Sequence, residues 1–287
     1  MATGLTNTTS LNDLLPSIVA EALFVASEKS IMRGLVRNYT LAPGNGKTVT
    51  VPIYPQVTAA QLTEATAPTQ QQILTEGATL TVVEVGLTAT VSDMAMMASA
   101  SNVIADMGRL MGESIARKMD ADLMALFASF STTVGGNDIL ATPALLFKAI
   151  AKLRSAGYDT ANDCAIVLHP NIAYDIASVL TSTFAAPASM VGNDALRNGF
   201  MGTLGGVPVY QSSLTVGYST VGNAAGDYGC GIFHKDALGL AMLSDIKIET
   251  QRSALKRGYD VVGSAMYGVG ELYDGAGVYG LFDSSIE

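Results

Sequence analysis

The sequence predicts an α+β chain whose first half is dominated by an extended hairpin and one long helix, and whose middle is a mixed domain with its own core. Three observations carry this. Lys47-Thr48-Val49-Thr50-Val51-Pro52-Ile53 alternates strictly, with Val49, Val51 and Ile53 on one face. Val103, Met107, Leu110, Met111, Ile115, Met119, Leu123, Leu126 and Phe127 recur at helical spacing. Cys164-Ala165-Ile166-Val167-Leu168 is a short continuous apolar run between two helical patterns, as a buried strand would be.

Taken in order, Ser10-Leu11-Asn12-Asp13 fits a capping box, and Pro16 suits a first helical turn. From there to about Met32, one stripe carries Ile18, Ala22 and Val25 and another Val19, Leu23 and Ala26. An apolar surface that wide exceeds what a helix on a single core buries, so a second subunit is expected on its other side. Ala42-Pro43-Gly44-Asn45-Gly46 is a turn-rich break. The alternating strand follows, then a segment of Ala, Thr, Gln and Pro without period, then a second strand over Thr79–Val91 carrying Leu80, Val82, Val83, Val85 and Leu87. A patternless connection of that length is uncommon in a compact domain. The pair is expected to form a long two-stranded hairpin projecting from the body.

The long helix is expected over Ser101–Phe130, with Arg109–Glu113 and Glu113–Arg117 spaced for i,i+4 pairing on its outer side. At ~1.5 Å per residue it would span ~40 Å, a spine for the molecule. Gly135-Gly136-Asn137 is expected to close it. Thr142-Pro143 opens another helix, lined by Leu145, Leu146, Ala149, Ile150 and Leu153 and stopped by Gly157. After the apolar strand, His169-Pro170 breaks the chain and a helix runs through Ile172, Ile176 and Leu180. Gly205-Gly206 precedes a strand, Val207-Pro208-Val209-Tyr210, and another covers Gly231–His234, with Leu238–Met242 continuing the same sheet. Asp245–Thr250 alternates again, and the glycine-rich section Tyr259–Phe282 is expected to return as strand towards the spine.

Composition narrows function. The 287 residues suffice for a full core without disulfides or metals. Hydrophobic residues make up 49% and mean hydropathy is +0.34, yet only 14% are charged, where about a quarter is usual. This excludes a disordered chain and leaves a membrane protein or one that hides much of its surface against partners. The longest uncharged stretch, Asn198–Gly226, is rich in Gly, Ser, Thr and Asn and lacks the ~20 consecutive apolar residues a spanning helix needs. No membrane partner is expected. The first basic residue is Lys29, with no basic-then-apolar leader before it, and the only cysteines are Cys164 and Cys230; a reduced, cytoplasmic setting is expected. Sixteen basic against twenty-five acidic residues give net −9. The nearest basic cluster, Arg252, Lys256 and Arg257, is flanked by Asp245, Glu249 and Asp260, so only weak, non-specific DNA contact is expected.

No motif carries chemistry. Gly44-Asn45-Gly46-Lys47-Thr48 ends like a phosphate-binding loop, but the earlier glycine position is Leu41 and a strand follows instead of a helix. Cys164 and His169 flank one strand, facing opposite ways some ~16 Å apart, so a nucleophile–base pair is not expected there. Two Cys and two His so dispersed cannot form a zinc quartet. Asp120 and Asp122 point in different directions on the spine helix, and Asp159 and Asp163 fit solvated loop carboxylates. No catalytic, cofactor-binding or metal-ligating residue is assigned, and no enzyme activity is expected. Met94, Met96, Met97, Met107, Met111, Met119 and Met124 around the spine suit adaptable core packing or an interface that repacks.

The order of elements (arm, projecting hairpin, spine helix, α+β middle, strand return) resembles the major capsid proteins of tailed bacteriophages, the Hong Kong 97-type coat fold, over nearly the whole chain. The residues most similar to that family are Leu14–Leu23, Gly202-Thr203-Leu204-Gly205-Gly206-Val207-Pro208-Val209-Tyr210, Ile248-Glu249-Thr250-Gln251-Arg252, Gly258–Val262 and Tyr267-Gly268-Val269-Gly270. The resemblance implies an N-terminal arm (1–46), an E-loop hairpin (47–92), a P-domain spine (93–130), an A-domain (131–244) and P-domain return strands with the C-terminus (245–287). It implies a structural protein that self-assembles as hexamers and pentamers into an icosahedral shell around double-stranded DNA, in a virion assembled in the host bacterial cytoplasm. Partners implied are copies of itself, a separate scaffolding protein (only about 46 residues precede the hairpin), a portal and a decoration or cement protein. Some family members cross-link through an E-loop lysine; none occurs here between Lys47 and Lys118, so an uncross-linked shell is expected. The alternatives are an encapsulin-type compartment shell with the same fold and a cytoplasmic thiol hydrolase using Cys164.

Overall fold

The computed structural model describes residues 5–6, 30–42, 44, 46–54, 59, 61, 76–99, 103–160, 163–183, 200–215 and 227–286. The capping box and almost all of the expected arm helix lie outside them. Within the described residues the first 46 positions contribute β1 (Leu5–Thr6), a one-turn helix α1 (Met32–Leu35) and β2 (Arg37–Thr40); Ser30 and Ile31, inside the expected arm helix, are not helical.

β3 (Thr48–Ile53) and β4 (Glu76–Thr81) pair antiparallel from Thr48 opposite Thr81 to Ile53 opposite Glu76, so the alternation does encode a hairpin. The second strand is not continuous over Thr79–Val91, however. The chain bends at buried Val82, whose N–H donates to the Lys47 carbonyl at 2.8 Å, and continues as β5 (Val83–Ser92) in a different sheet. That sheet has five strands in the order β1-β5-β12-β11-β2, with β11 at Leu238–Ser253 and β12 at Gly258–Glu271.

After a short helix α2 (Asp93–Ala98) comes the spine, α3 (Val103–Ala125). It is shorter than the expected Ser101–Phe130: a 3-10 turn over Leu126–Ser129 replaces its last α turn. This turn swings Phe127 and Phe130 into the core, the two rings 6.4 Å apart. The spine lies on the five-stranded sheet. Gly263 of β12 leaves the room that Met111 and Ile115 fill, since a Cβ there would meet them at 3.2 and 3.3 Å.

The remaining strands form a six-stranded sheet in the order β6-β13-β10-β7-β9-β8: β6 (Thr133–Leu140), β7 (Cys164–Leu168), β8 (Phe200–Leu204), β9 (Val207–Gln211), β10 (Tyr228–His234) and β13 (Gly277–Asp283). α4 (Pro143–Ser155) and α5 (Pro170–Thr183) cover one face, burying Leu146, Ala149, Ile150, Leu153, Ile172, Ala173 and Ile176 against Ile166, Leu168, Ile232 and Phe282. The other face, through Val167, Phe233 and Tyr279, joins the core under the spine. α4 opens at Thr142-Pro143 and ends before Gly157 (φ +91) as expected, although the Thr142 side chain makes no cap bond. The Gly205-Gly206 pair, at φ +60 and +89, forms the two-residue turn of the β8–β9 hairpin, the left-handed pairing that such turns require.

Three expectations are corrected by long-range pairing. Gly135-Gly136-Asn137 does not close the spine; it lies inside β6, paired parallel to β13. A Cβ at Gly135 (φ +92) would come within 2.1 Å of the Leu281 carbonyl, so glycine there serves a close approach. Leu238–Met242 does not continue the sheet of Gly231–His234. The chain changes sheets over Lys235–Ala237, and the two short strands expected at Leu238–Met242 and Asp245–Thr250 are one strand, β11, irregular between Met242 and Lys247. The glycine-rich return is two strands in two sheets, separated by a 3-10 turn at Asp274–Ala276. The two crossings lie side by side, the Leu272 N–H donating to the Ala237 carbonyl at 2.8 Å. No helix among the described residues is long and apolar enough to cross a membrane.

Candidate assembly surfaces

The segment from Ser30 to Thr40 is fixed to the spine helix and to the five-stranded sheet. Asp120, buried on the spine, accepts from Ser30 Oγ at 2.9 Å and from the Ile31 N–H at 2.8 Å. Met32 is fully buried beside it, and β2 adds a parallel strand to β11 from Gly239 opposite Arg37 to Met242 opposite Thr40. Arg33 pairs with Asp245 and Arg37 with Asp236 at the surface. The Ile246 N–H, first, and Arg33 hold Asp245 below the usual carboxylate range.

The β3–β4 hairpin has two unlike faces. Val49, Val51 and Ala78 pack over Leu41, Leu80, Val82, Ala241 and Leu272. The other face presents Thr50 with Thr48, Thr79 and Thr81, all exposed, in the cross-strand pairs Thr48–Thr81 and Thr50–Thr79. Tyr273 Oη reaches out to the Tyr54 carbonyl at 2.9 Å, tying the far end of β3 to the body. That latch carries no sequence signal, because its partners are 219 positions apart.

The methionines divide. Met111, Met119 and Met124 are core, whereas Met94 and Met97 on α2 are 72% and 89% exposed.

The candidate chemical residues are not brought together. Cys164 is buried, and burial pushes its thiol up to about 11; Cys230 is fully buried and pushed up to about 12 by the same cause. His169 stacks on Tyr228 with ring centres 3.8 Å apart, and its Nδ1 accepts from the Asn171 N–H. A thiol so far from ionising at neutral pH is a poor nucleophile. Asp120 holds Ser30 and Ile31, while Asp122 accepts from Tyr267 Oη at 2.8 Å and pairs with Lys118. Asp159 and Asp163 are exposed, and Gly44 stands in a turn. Among the described residues no three His, Cys, Asp or Glu side chains come close enough to hold a metal.

Comparison with known proteins gives a consistent answer. Residues 75–281 match the family model described as phage capsid protein. A search of curated protein sequences finds no match. Among solved structures, the fold is similar to the capsid of the cyanophage P-SCSP1u, at 18% identity and TM-score 0.72, covering 96% of this chain and 95% of that one. It is also similar to the capsid of cyanophage Pam1 (14% identity, TM-score 0.68, 94% of each chain) and to a structure from Mycobacterium phage Adephagia (14%, TM-score 0.66, 99% of each).

Proposed function

Because the chain belongs to the phage capsid protein family and is a structural protein of a capsid, we propose that copies of it, as hexamers and pentamers, close into an icosahedral shell around a double-stranded DNA genome. The match over 75–281 carries this reading. In it, residues 1–46 form the arm, 47–92 the E-loop, 93–130 and 245–287 the P-domain and 131–244 the A-domain. The threonine face of the hairpin, fixed at its base and at Tyr54, supports a part that lies on a neighbouring copy.

The shell is held by many modest contacts. An interface of ~1,600 Å² would gain about 40 kcal/mol at ~25 cal/mol per Å² if wholly apolar, most of it offset by lost rigid-body freedom and side-chain ordering. Each contact stays reversible while the closed lattice is durable. A net charge of −9 keeps DNA loosely held, since phosphate is repelled or ignored. The protein works without catalysis, its place is the virion capsid, assembled in the host bacterial cytoplasm, and its further partners are a separate scaffolding protein, a portal and a decoration or cement protein. The buried, hard-to-ionise Cys164 speaks against a thiol hydrolase.

Negative-stain microscopy of particles from the native source, with nuclease protection, tests the reading. Uniform icosahedral particles that protect DNA are expected. Particles holding a protein cargo and no DNA, or a dispersed monomer, would overturn it.

A further inference from the structure

Two buried side-chain oxygens on the six-stranded sheet have no hydrogen-bond partner among the described residues: Asp227 Oδ2 and Tyr279 Oη. Asp227 stands fully buried immediately before β10, and its other oxygen, Oδ1, accepts from the Asp138 N–H at 3.2 Å. No lysine, arginine or histidine among the described residues pairs with it. A buried carboxylate with one donor and no counter-charge is costly to keep, and buried charges are ordinarily paired or bound to a metal ion.

The two oxygens lie on one face. Asp227 and Gly229 are two apart along the strand, so their side-chain directions share a face about 7 Å from each other. A Cβ at Gly229 would meet Tyr279 Oη at 2.9 Å, which places the hydroxyl over Gly229, next along the face from Asp227. Burial, then Cys230 and Asp227, push the Tyr279 hydroxyl up to about 12, so at neutral pH it is an uncharged oxygen with lone pairs to offer. Backbone oxygen is at hand. β6 leaves its ladder with β13 between Gly135, opposite Leu281, and Leu140, opposite Asp283, so residues 136–139 form a bulge whose carbonyls are released from that ladder. Asp138, at φ +59, is the bulge residue whose N–H reaches Asp227.

We propose that Asp227 Oδ2, Tyr279 Oη and carbonyls of the 136–139 bulge hold one alkali cation, sodium or potassium. The donors are all oxygen, the set that hard cations take. Charge selects the valence. One monovalent ion cancels the single buried carboxylate, whereas a divalent ion would leave a positive charge stranded in the interior. Asp283 follows on the same face of β13, but it is half-buried and its Oδ1 accepts from the Ser284 N–H at 2.8 Å, so its charge is met by solvent and backbone. Among the described residues no three His, Cys, Asp or Glu side chains gather as a divalent site would need. A water molecule would satisfy the two oxygens and leave the charge uncompensated. The ion would fasten β6, β10 and β13 at one point, beneath the exposed stretch Asn137–Leu140.

The test follows melting of the full chain in sodium, potassium and N-methylglucamine chlorides at one ionic strength. The wild type is expected to melt about 3 °C higher in at least one alkali salt than in N-methylglucamine, an organic cation too large for the site. Asp227→Asn is expected to lose that difference, and Tyr279→Phe to need several-fold more salt for the same rise. Equal melting of the wild type in all three salts would overturn the proposal and leave water or a protonated carboxyl at the site. So would a difference that persists undiminished in Asp227→Asn, or one that trace calcium reproduces and a chelator abolishes. Should Asp227→Asn not fold, Tyr279→Phe against the wild type decides: an unchanged salt requirement removes the tyrosine from the site and overturns the proposal.

Discussion

Asp120 and Ser30 sit ninety positions apart, yet the hydroxyl of one donates to the buried carboxylate of the other at 2.9 Å, and the same carboxylate accepts from the Ile31 N–H. Removing that acceptor leaves a backbone N–H and a hydroxyl short of a partner at the point where the arm joins the spine, a cost of about 1–3 kcal/mol. Asp120→Ala is therefore expected to lower the melting temperature by several degrees and to speed proteolysis near residue 30, with Asp120→Asn in between. Calorimetry and limited proteolysis check this; equal melting of all three proteins would contradict it.

Acid should loosen a particular set of ties. Ser131, through its hydroxyl and its N–H at 2.7 Å, holds Asp274 below the usual carboxylate range; Arg252 does so for Asp93, and Thr90 followed by Lys256 for Asp260. A carboxyl depressed in the folded state stabilises it fully above the ordinary value of 3.8 and loses that contribution as pH falls through the lower folded value. Melting temperature is expected to hold from pH 7 down to about 4 and then fall. Asp274→Asn should melt lower at pH 7 and show a shallower fall below pH 4. Parallel curves for variant and wild type would rule out this assignment.

Both thiols should be silent in the native protein. With Cys164 pushed up to about 11 and Cys230 to about 12 by burial, Ellman's reagent at pH 8 is expected to find none until denaturant is added, and then two. Fast reaction in the folded state would revive the thiol-enzyme alternative.

Shells of this chain should fall apart to one band when boiled in SDS. No lysine occurs between Lys47, at the hairpin's base, and Lys118, so the hairpin's tip offers no amine for an isopeptide bond to a neighbour. A ladder of covalent multimers would refute the expectation.

Local pattern was legible wherever a segment's burial depends on its own period. The Val49–Val51–Ile53 alternation, the helical stripe from Val103 to Leu123, the apolar run Cys164–Leu168 and the Gly205-Gly206 turn each encode their element directly. None of the contacts proposed for assembly was legible in the same way. Nothing local marks Tyr273 as the latch for Tyr54, or separates the exposed Met94 and Met97 from the buried Met111 and Met119.

The residues by themselves determined an α+β chain with a hairpin, a spine helix and too few charges for a self-contained surface, because alternation, helical recurrence and composition are properties of short windows and of totals. Tertiary structure alone decided which sheet each strand joins: that Val82 bends the hairpin's second strand into the body, that Gly135 lies in a parallel strand, and that the chain crosses between sheets at Lys235–Ala237 and again at Asp274–Ala276. Strand pairing is a contract between residues over a hundred positions apart, Gly258 with Ser92 and Tyr279 with Thr133, and hydrogen bonds of that reach leave no period in either partner.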